Sequence, residues 1–357
     1  MRSHLLAPFL LLAPLALPLA AGPAGTLVVL NKSDASAWLV DPETGVRLAS
    51  VPTGEGPHEA DVTPDGRLAV VTNYGGEAPG GKTPGGRLTL IDLAAGTAAG
   101  TIALGGHRRP HGVQVLPDGR RAVVTAEASQ ALLVVDLAAK EVLAAIPTGE
   151  KVSHMVALSP DGKTAFVSSI GSGTMTAIDL VKRERTRTVK TGEGAEGIAV
   201  TPDGKEVWVG NRASDTLTVL DAATLETKRT LPCAQFPIRL EIAPDGATLL
   251  ASNARSGDVA VFDTNAGKER KRVKMPMAAA TTEGRLFADR FGKSPVPIGL
   301  LVPPGGKVAY VANSNADAVV VFDLESGAIL RTLPAGAEPD GLAWTPLKPK
   351  AGAEASR

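Results

Sequence analysis

The chain is poor in the residues that staple or anchor a protein. Its 357 residues include one cysteine, Cys233, and only 3% aromatic side chains. A single thiol permits no internal disulfide, no Cys-x-x-Cys zinc site and no Cys-x-x-Cys-His haem attachment. Charge of one sign is lacking too: 37 Lys and Arg balance 37 Asp and Glu. With no long-range field toward phosphate, nucleic acid is not an expected partner. Nor is there a long unbroken apolar run. The candidate, Leu5 to Leu19, is interrupted by Pro8, Pro14 and Pro18, whereas a bilayer span takes about 20 apolar residues. What the chain does contain is 44% hydrophobic residues, 39 Gly and 27 Pro, enough to bury a core between many turns.

Arg2 and His4 precede that apolar run, and the small residues Ala20, Ala21, Gly22 and Ala24 follow it. Charged, apolar, then small is the order of a secretory signal. Residues 1–24 are therefore expected to be a signal peptide, and the remainder to work in the periplasm or outside the cell. Disulfides are common in such compartments, so a chain with one cysteine must take its stability from packing and from closure of the fold.

Internal repeats supply the closure. Pro-Asp-Gly recurs at Pro64, Pro117, Pro160, Pro202 and Pro244, loosely at Pro303-Pro304-Gly305, and Thr345-Pro346 opens a seventh unit. Successive prolines are 53, 43, 42, 42, 59 and 43 residues apart, a period that suits a four-stranded propeller blade. Each third strand ends in an aspartate: Asp41, Asp92, Asp136, Asp179, Asp221, Asp263 and Asp323. The chain begins mid-repeat with Leu27-Val28-Val29-Leu30-Asn31 and ends on a lone first strand, Gly341-Leu342-Ala343-Trp344. The expectation is an all-β, seven-bladed propeller over residues 25–346, each blade a four-stranded antiparallel sheet. The C-terminal strand is expected to pair with the N-terminal blade, which removes the open sheet edges. Residues 347–357 are expected to form a disordered tail.

Tyr310-Val311-Ala312-Asn313, Ala318-Val319-Val320-Val321-Phe322-Asp323 and the Pro-Asp-Gly turns resemble the YVTN-repeat, YncE-like β-propeller family. The resemblance covers about residues 26 to 346. It implies a propeller, and relatives that include surface-layer proteins, periplasmic proteins and propeller lactonases. Most blades depart from the tetrapeptide, with Val71-Thr72-Asn73, Val124-Thr125-Ala126 and Val167-Ser168-Ser169 in its place.

Because the repeat is structural, function must lie in what the repeats do not share. First strands line a propeller's central channel. Their starting residues are, in chain order, His58, His111, His154, Glu196, Ile238, Ile298 and Asp340. Around the ring, Asp340, His58, His111, His154 and Glu196 are contiguous. Beyond the leader there are four histidines, and three of them share this register. Three imidazoles near carboxylates suit a divalent transition metal held tentatively by His58, His111 and His154. They equally suit a polar funnel for a small organic ligand, or side chains that satisfy one another with water. Arg109, beside the extra His107, and Arg239, one residue after Ile238, are added as candidate anion contacts. Both insertions, Tyr74 to Gly86 and Met275 to Pro297, are expected to overhang the funnel. The second carries Arg285, Phe287, Asp289, Arg290 and Phe291.

Three readings follow. The favoured one is an exported, monomeric binding protein whose funnel holds a metal ion or a small anionic ligand. In the second, a lactonase or other hydrolase, one histidine acts as general base or as ligand to a water-activating metal, with Arg109 or Arg239 polarising the substrate. The third is a scaffold for contacts with cell-envelope proteins. The one cofactor the residues suggest is a divalent transition metal.

Overall fold

The computed structural model describes residues 24–76, 84–277 and 285–350. The expected leader lies outside it except for Ala24, as do the middle parts of both insertions and residues 351–357. The described residues form seven four-stranded antiparallel sheets arranged as a seven-bladed β-propeller. Blades 1 to 6 are numbered here by their innermost strands, Pro57–Val62, Pro110–Val115, Ser153–Leu158, Ala195–Val200, Pro237–Ile242 and Pro297–Leu301. Blade 7 combines the two ends of the chain. Its inner strand, Pro339–Thr345, pairs with Thr26–Asn31 in the register Leu27 to Trp344 and Val28 to Ala343. The first residues of the expected tail continue from this closure: Thr26 Oγ1 donates to the Leu347 carbonyl at 2.7 Å, and Lys348 pairs with Asp41 at 2.9 Å.

Second and third strands are short apolar runs because each is covered on both faces by neighbouring blades. Thr248–Asn253 and Val308–Asn313 are buried along their whole length. The core therefore lies between blades: Leu132 and Val134 of blade 2 share a cluster with Val167 and Ile178 of blade 3. Outer strands face water and are polar, as in Glu184–Lys190, whose charges discourage pairing with another chain.

Turn chemistry repeats with the blades. In the Pro-Asp-Gly turns the aspartate accepts the N–H two residues on, as Asp65 does from Arg67 at 3.0 Å and Asp203 from Lys205 at 3.1 Å. The glycine that follows has φ near +70°, for example 73° at Gly66, a region that side chains with a Cβ rarely adopt. At the ends of third strands Asp92, Asp136, Asp179 and Asp221 each accept two backbone N–H groups, those two and three residues ahead. These Asx turns explain why all seven third strands end in aspartate.

One irregularity matters most for function. Every innermost strand pairs with its neighbour through a register shift just after its start, between Pro57 and Ala60 in blade 1 and between Pro110 and Val113 in blade 2; the other five blades repeat it. Such bulges re-aim side chains. The bulged pair in each blade is the predicted channel residue and its successor.

Candidate functional site

The bulges bring His58, His111, His154, Glu196, Ile238, Ile298 and Asp340 together around one cavity of about 230 Å³ at the channel mouth. Hydroxyls brace this ring from behind. Thr72 donates to the carbonyl of His111 at 2.8 Å, Thr125 to that of His154 at 2.6 Å, Ser168 to that of Glu196, and Ser252 to that of Ile298 at 2.8 Å. The Thr or Ser in the Val-Thr-Asn-like segments thus fixes the position of the next blade's site residue.

A second register completes the site and was not singled out in the sequence. In five blades the residue that follows the Val-Thr-Asn-like end of the second strand reaches the same mouth: Lys32, Tyr74, Glu127, Ile170 and Arg212 all line the cavity. The signal was available, since the other residues at this position are the small Ala254 and Ser314. Across the blades this one position varies from Lys to Tyr to Glu to Arg.

His154 is held between two carboxylates. Its Nδ1 meets Glu127 Oε1, and its Nε2 lies 3.1 Å from Glu196 Oε1. Burial disfavours its charge, but Glu127 and Glu196 outweigh this and raise its pKa, which favours the ring with a proton on each nitrogen. Burial works against the Glu196 carboxylate as well, yet His154, Arg212 and Arg239 bring it down to about 2. Tyr74 donates its hydroxyl to Glu127 at 2.6 Å. His111 is the opposite case: burial first, then His154, His58, Arg239 and Lys32, hold it well below the ordinary histidine value. It is a neutral imidazole whose ring centroid lies 3.6 Å from that of His154, and its Nδ1 is buried without a partner among the described residues. His58 stands 4.7 Å from His111, places its Nδ1 2.9 Å from the Gly56 carbonyl and faces Asp340 at 4.0 Å. Lys32 pairs with Asp340 at 2.7 Å.

Below this ring Arg239 crosses the channel. From blade 5 it reaches Glu59 of blade 1, with Nε and Nη2 at 2.7 and 2.6 Å from Oε1, while Nη1 touches Glu196 Oε1 at 3.2 Å. The sequence explains why there is room. The second bulged position is Gly112, Gly197, Gly299 or Gly341 in four blades, and only Glu59, Met155 and Arg239 have side chains. Glycine is required where the next inner strand passes close behind: a Cβ on Gly112 would lie 2.9 Å from the Met155 Cα. The Arg239–Glu59 bar separates the mouth from a second cavity of about 510 Å³ on the other side. There Asp61 accepts from the Val115 N–H at 2.7 Å and Gln114 from Leu158 at 2.8 Å, each tying its blade to the next. Burial pushes Asp61 up to about 6 and Glu241 up to about 8.

The remaining candidates divide. Arg239 lies in the site. Arg109 does not line the cavity; its guanidinium stacks 4.8 Å from the Tyr74 ring. Of the two insertions, Tyr74 from the first and Phe287, Arg290 and Phe291 from the second reach the mouth, the last two on a short helix, Ala288–Phe291. Arg285 instead pairs with Asp317 at 2.6 Å. Among the described His, Cys, Asp and Glu, the side chains close enough to share one ion are His111, Glu127 and His154, within 4.8 Å of one another. Glu127 joins that set and His58 stays outside it. No helix among the described residues is long and apolar enough to cross a membrane.

Fold and site together define a seven-bladed propeller with a charged cluster in the centre. The sequence pattern of the cytochrome D1 heme domain family matches residues 118–266, less than half of the chain. No curated protein matches it. Among solved structures it is similar to the periplasmic gluconolactonase PpgL of Pseudomonas aeruginosa, at 20% identity and a TM-score of 0.70 over 90% of this chain and 99% of that one. Hydrazine synthase of Kuenenia stuttgartiensis gives 21% identity and a TM-score of 0.66 over 81% and 90%. A functionally unknown protein of Desulfotomaculum acetoxidans gives 15% and 0.73 over 92% and 100%. At these identities the likeness is one of fold.

Proposed function

We propose that the chain is an exported propeller binding protein, of the YVTN-repeat, YncE-like kind, whose funnel takes a small anion. The observation that carries this is the charge balance at the mouth. Lys32, Arg212, Arg239, Arg290 and protonated His154 face Glu127, Glu196 and Asp340, with Glu59 behind Arg239. Five cations against four carboxylates leave positive charge in a partly enclosed cavity lined mostly by buried side chains, where an anion is worth more than in water. A metal is less well served. Both nitrogens of His154 are engaged by carboxylates, so an ion would have to displace Glu127 or Glu196 from a charge-assisted hydrogen bond. A tetrapyrrole does not fit either: a cavity of about 230 Å³ is below the roughly 300–1,000 Å³ that drug-sized ligands occupy. In addition, His58 and His111 lie outside the stretch that matches the heme-domain family.

The test is thermal unfolding of the purified protein with a panel of small organic and inorganic anions, beside zinc, copper, iron and nickel. Anions should raise the transition temperature as their concentration passes Kd, by linkage. Stabilisation by a metal alone, with stoichiometric uptake, would replace this reading with the metal site.

A second reading, a lactonase, draws on His111. A buried neutral imidazole without a partner on Nδ1 is in the state a general base requires. Hydrolysis of an aldonolactone above the spontaneous rate, abolished in His111→Ala, would support it; no turnover by the native protein would end it.

A further inference from the structure

Three guanidinium groups surround Phe236 at the mouth: Arg212 lies 5.2 Å from the ring centroid, Arg255 5.1 Å and Arg290 4.8 Å. They come from three places. Arg212 belongs to the register after the second strands, Arg255 to the corresponding turn of blade 5 and Arg290 to the helix of the second insertion. Arg212 is paired with Glu196, whereas among the described residues neither Arg255 nor Arg290 has a carboxylate within ion-pair reach. The cations repel one another: partial burial, then Arg212 and Arg255, hold Arg290 below the ordinary arginine value against an opposing pull from Glu196. Two guanidiniums without a direct ion pair, beside a third, are an arrangement that a bound anion relieves.

The wall next to them is apolar. Phe236 meets Phe291 edge to face at 5.0 Å, Phe287 lies 5.9 Å from Phe291, and Ile238 and Ile298 belong to the same buried cluster. A hydrated inorganic ion would make no use of this wall, while an apolar body packed on it is removed from water.

We propose that the funnel is a site for a small carboxylic acid with a compact apolar or aromatic body. Arg212 and Arg290 hold the carboxylate, Arg255 adds to the field, and Phe236, Phe291 and Ile298 receive the body. The size of the cavity, about 230 Å³, limits the ligand to roughly one ring, because larger ligands fill about 300 Å³ or more. This assignment rests on the anion reading above and narrows it.

Titration calorimetry on the purified protein tests it, with benzoate, its neutral isostere benzamide, acetate and phosphate as probes. Benzoate is expected to bind one per chain, more weakly at higher salt, with benzamide and acetate each at least about tenfold weaker. Arg290 is exposed on one side while it lines the cavity on the other, so Arg290→Gln should fold normally; it should weaken benzoate about tenfold and leave benzamide unchanged. Phe291→Ala, checked for native circular dichroism, should weaken benzoate and spare acetate. Acetate or phosphate binding as tightly as benzoate would overturn the apolar-acid assignment and leave the anion site standing. Benzamide binding equal to benzoate, or Arg290→Gln without effect, would remove the arginines from the site. Binding of none of the anions would remove both readings.

Discussion

Replacing Arg239 by methionine tests the bar across the channel. The guanidinium is 6% exposed and serves Glu59 and Glu196, so its loss strands Glu59 without a cation. Glu196 keeps Arg212 and His154, so one buried carboxylate is uncompensated. Removing one partner of a buried pair costs about 3–5 kcal/mol. For domains of this size about 2 °C is lost per kcal/mol, so the transition should fall by about 6–10 °C. Glu59→Gln should cost less, on the order of 1–3 kcal/mol, because Arg239 retains Glu196 and gains a neutral acceptor. The double variant Glu59→Leu, Arg239→Met replaces the pair with apolar side chains, and such replacements are often neutral. It should therefore unfold at a higher temperature than Arg239→Met alone. Urea and thermal unfolding of the native protein, Glu59→Leu, Arg239→Met and the double variant complete the cycle. If Arg239→Met lies within about 0.5 kcal/mol of the native protein, or the double variant is the least stable of the four, the bar is not a desolvated ion pair and the reasoning fails.

Three further outcomes follow from the geometry. Thr125 accepts from the Gly112 N–H at 2.8 Å and donates to the His154 carbonyl at 2.6 Å, so Thr125→Val should cost about 2–3 kcal/mol by leaving two buried groups unpaired, read in urea. His154 has a raised pKa, so its stabilisation is present below the unfolded value of about 6.5 and is lost as pH rises through the folded value. Glu196, lowered to about 2, contributes above about 4.5 and loses its contribution as pH falls toward 2; His154→Gln should flatten the alkaline side of a stability–pH curve, and an unchanged slope would contradict the two-carboxylate clamp. Glu241, raised to about 8, should make the protein less stable as pH rises from about 4.5 to 8, and Glu241→Gln should remove that decline in thermal unfolding.

The ring was legible in the sequence because each blade is specified locally. A Pro-Asp-Gly turn, an apolar strand and a terminal aspartate recur, and each acts within a few residues, as the Asp65 and Asp92 hydrogen bonds show. The strand starts could be aligned for the same reason, so His58, His111, His154, Glu196 and Asp340 were found as one set. Glu127, Lys32 and Arg212 belong to a second register, equally periodic but without the histidines that mark the first, and Tyr74 was expected at the mouth only as the start of an insertion. His154 caught between Glu127 and Glu196, Arg239 reaching Glu59, and the three arginines around Phe236 are different in kind. They join residues from different blades, with Arg239 and Glu59 180 positions apart. The sequence by itself determined the number of blades, the closure of the ring and which residues face the channel, since turn and strand preferences are short-range. Only the tertiary structure decided which of those residues meet, because the bulge that aims each side chain and the ring that curves it toward its partner exist only once every blade is packed against the next.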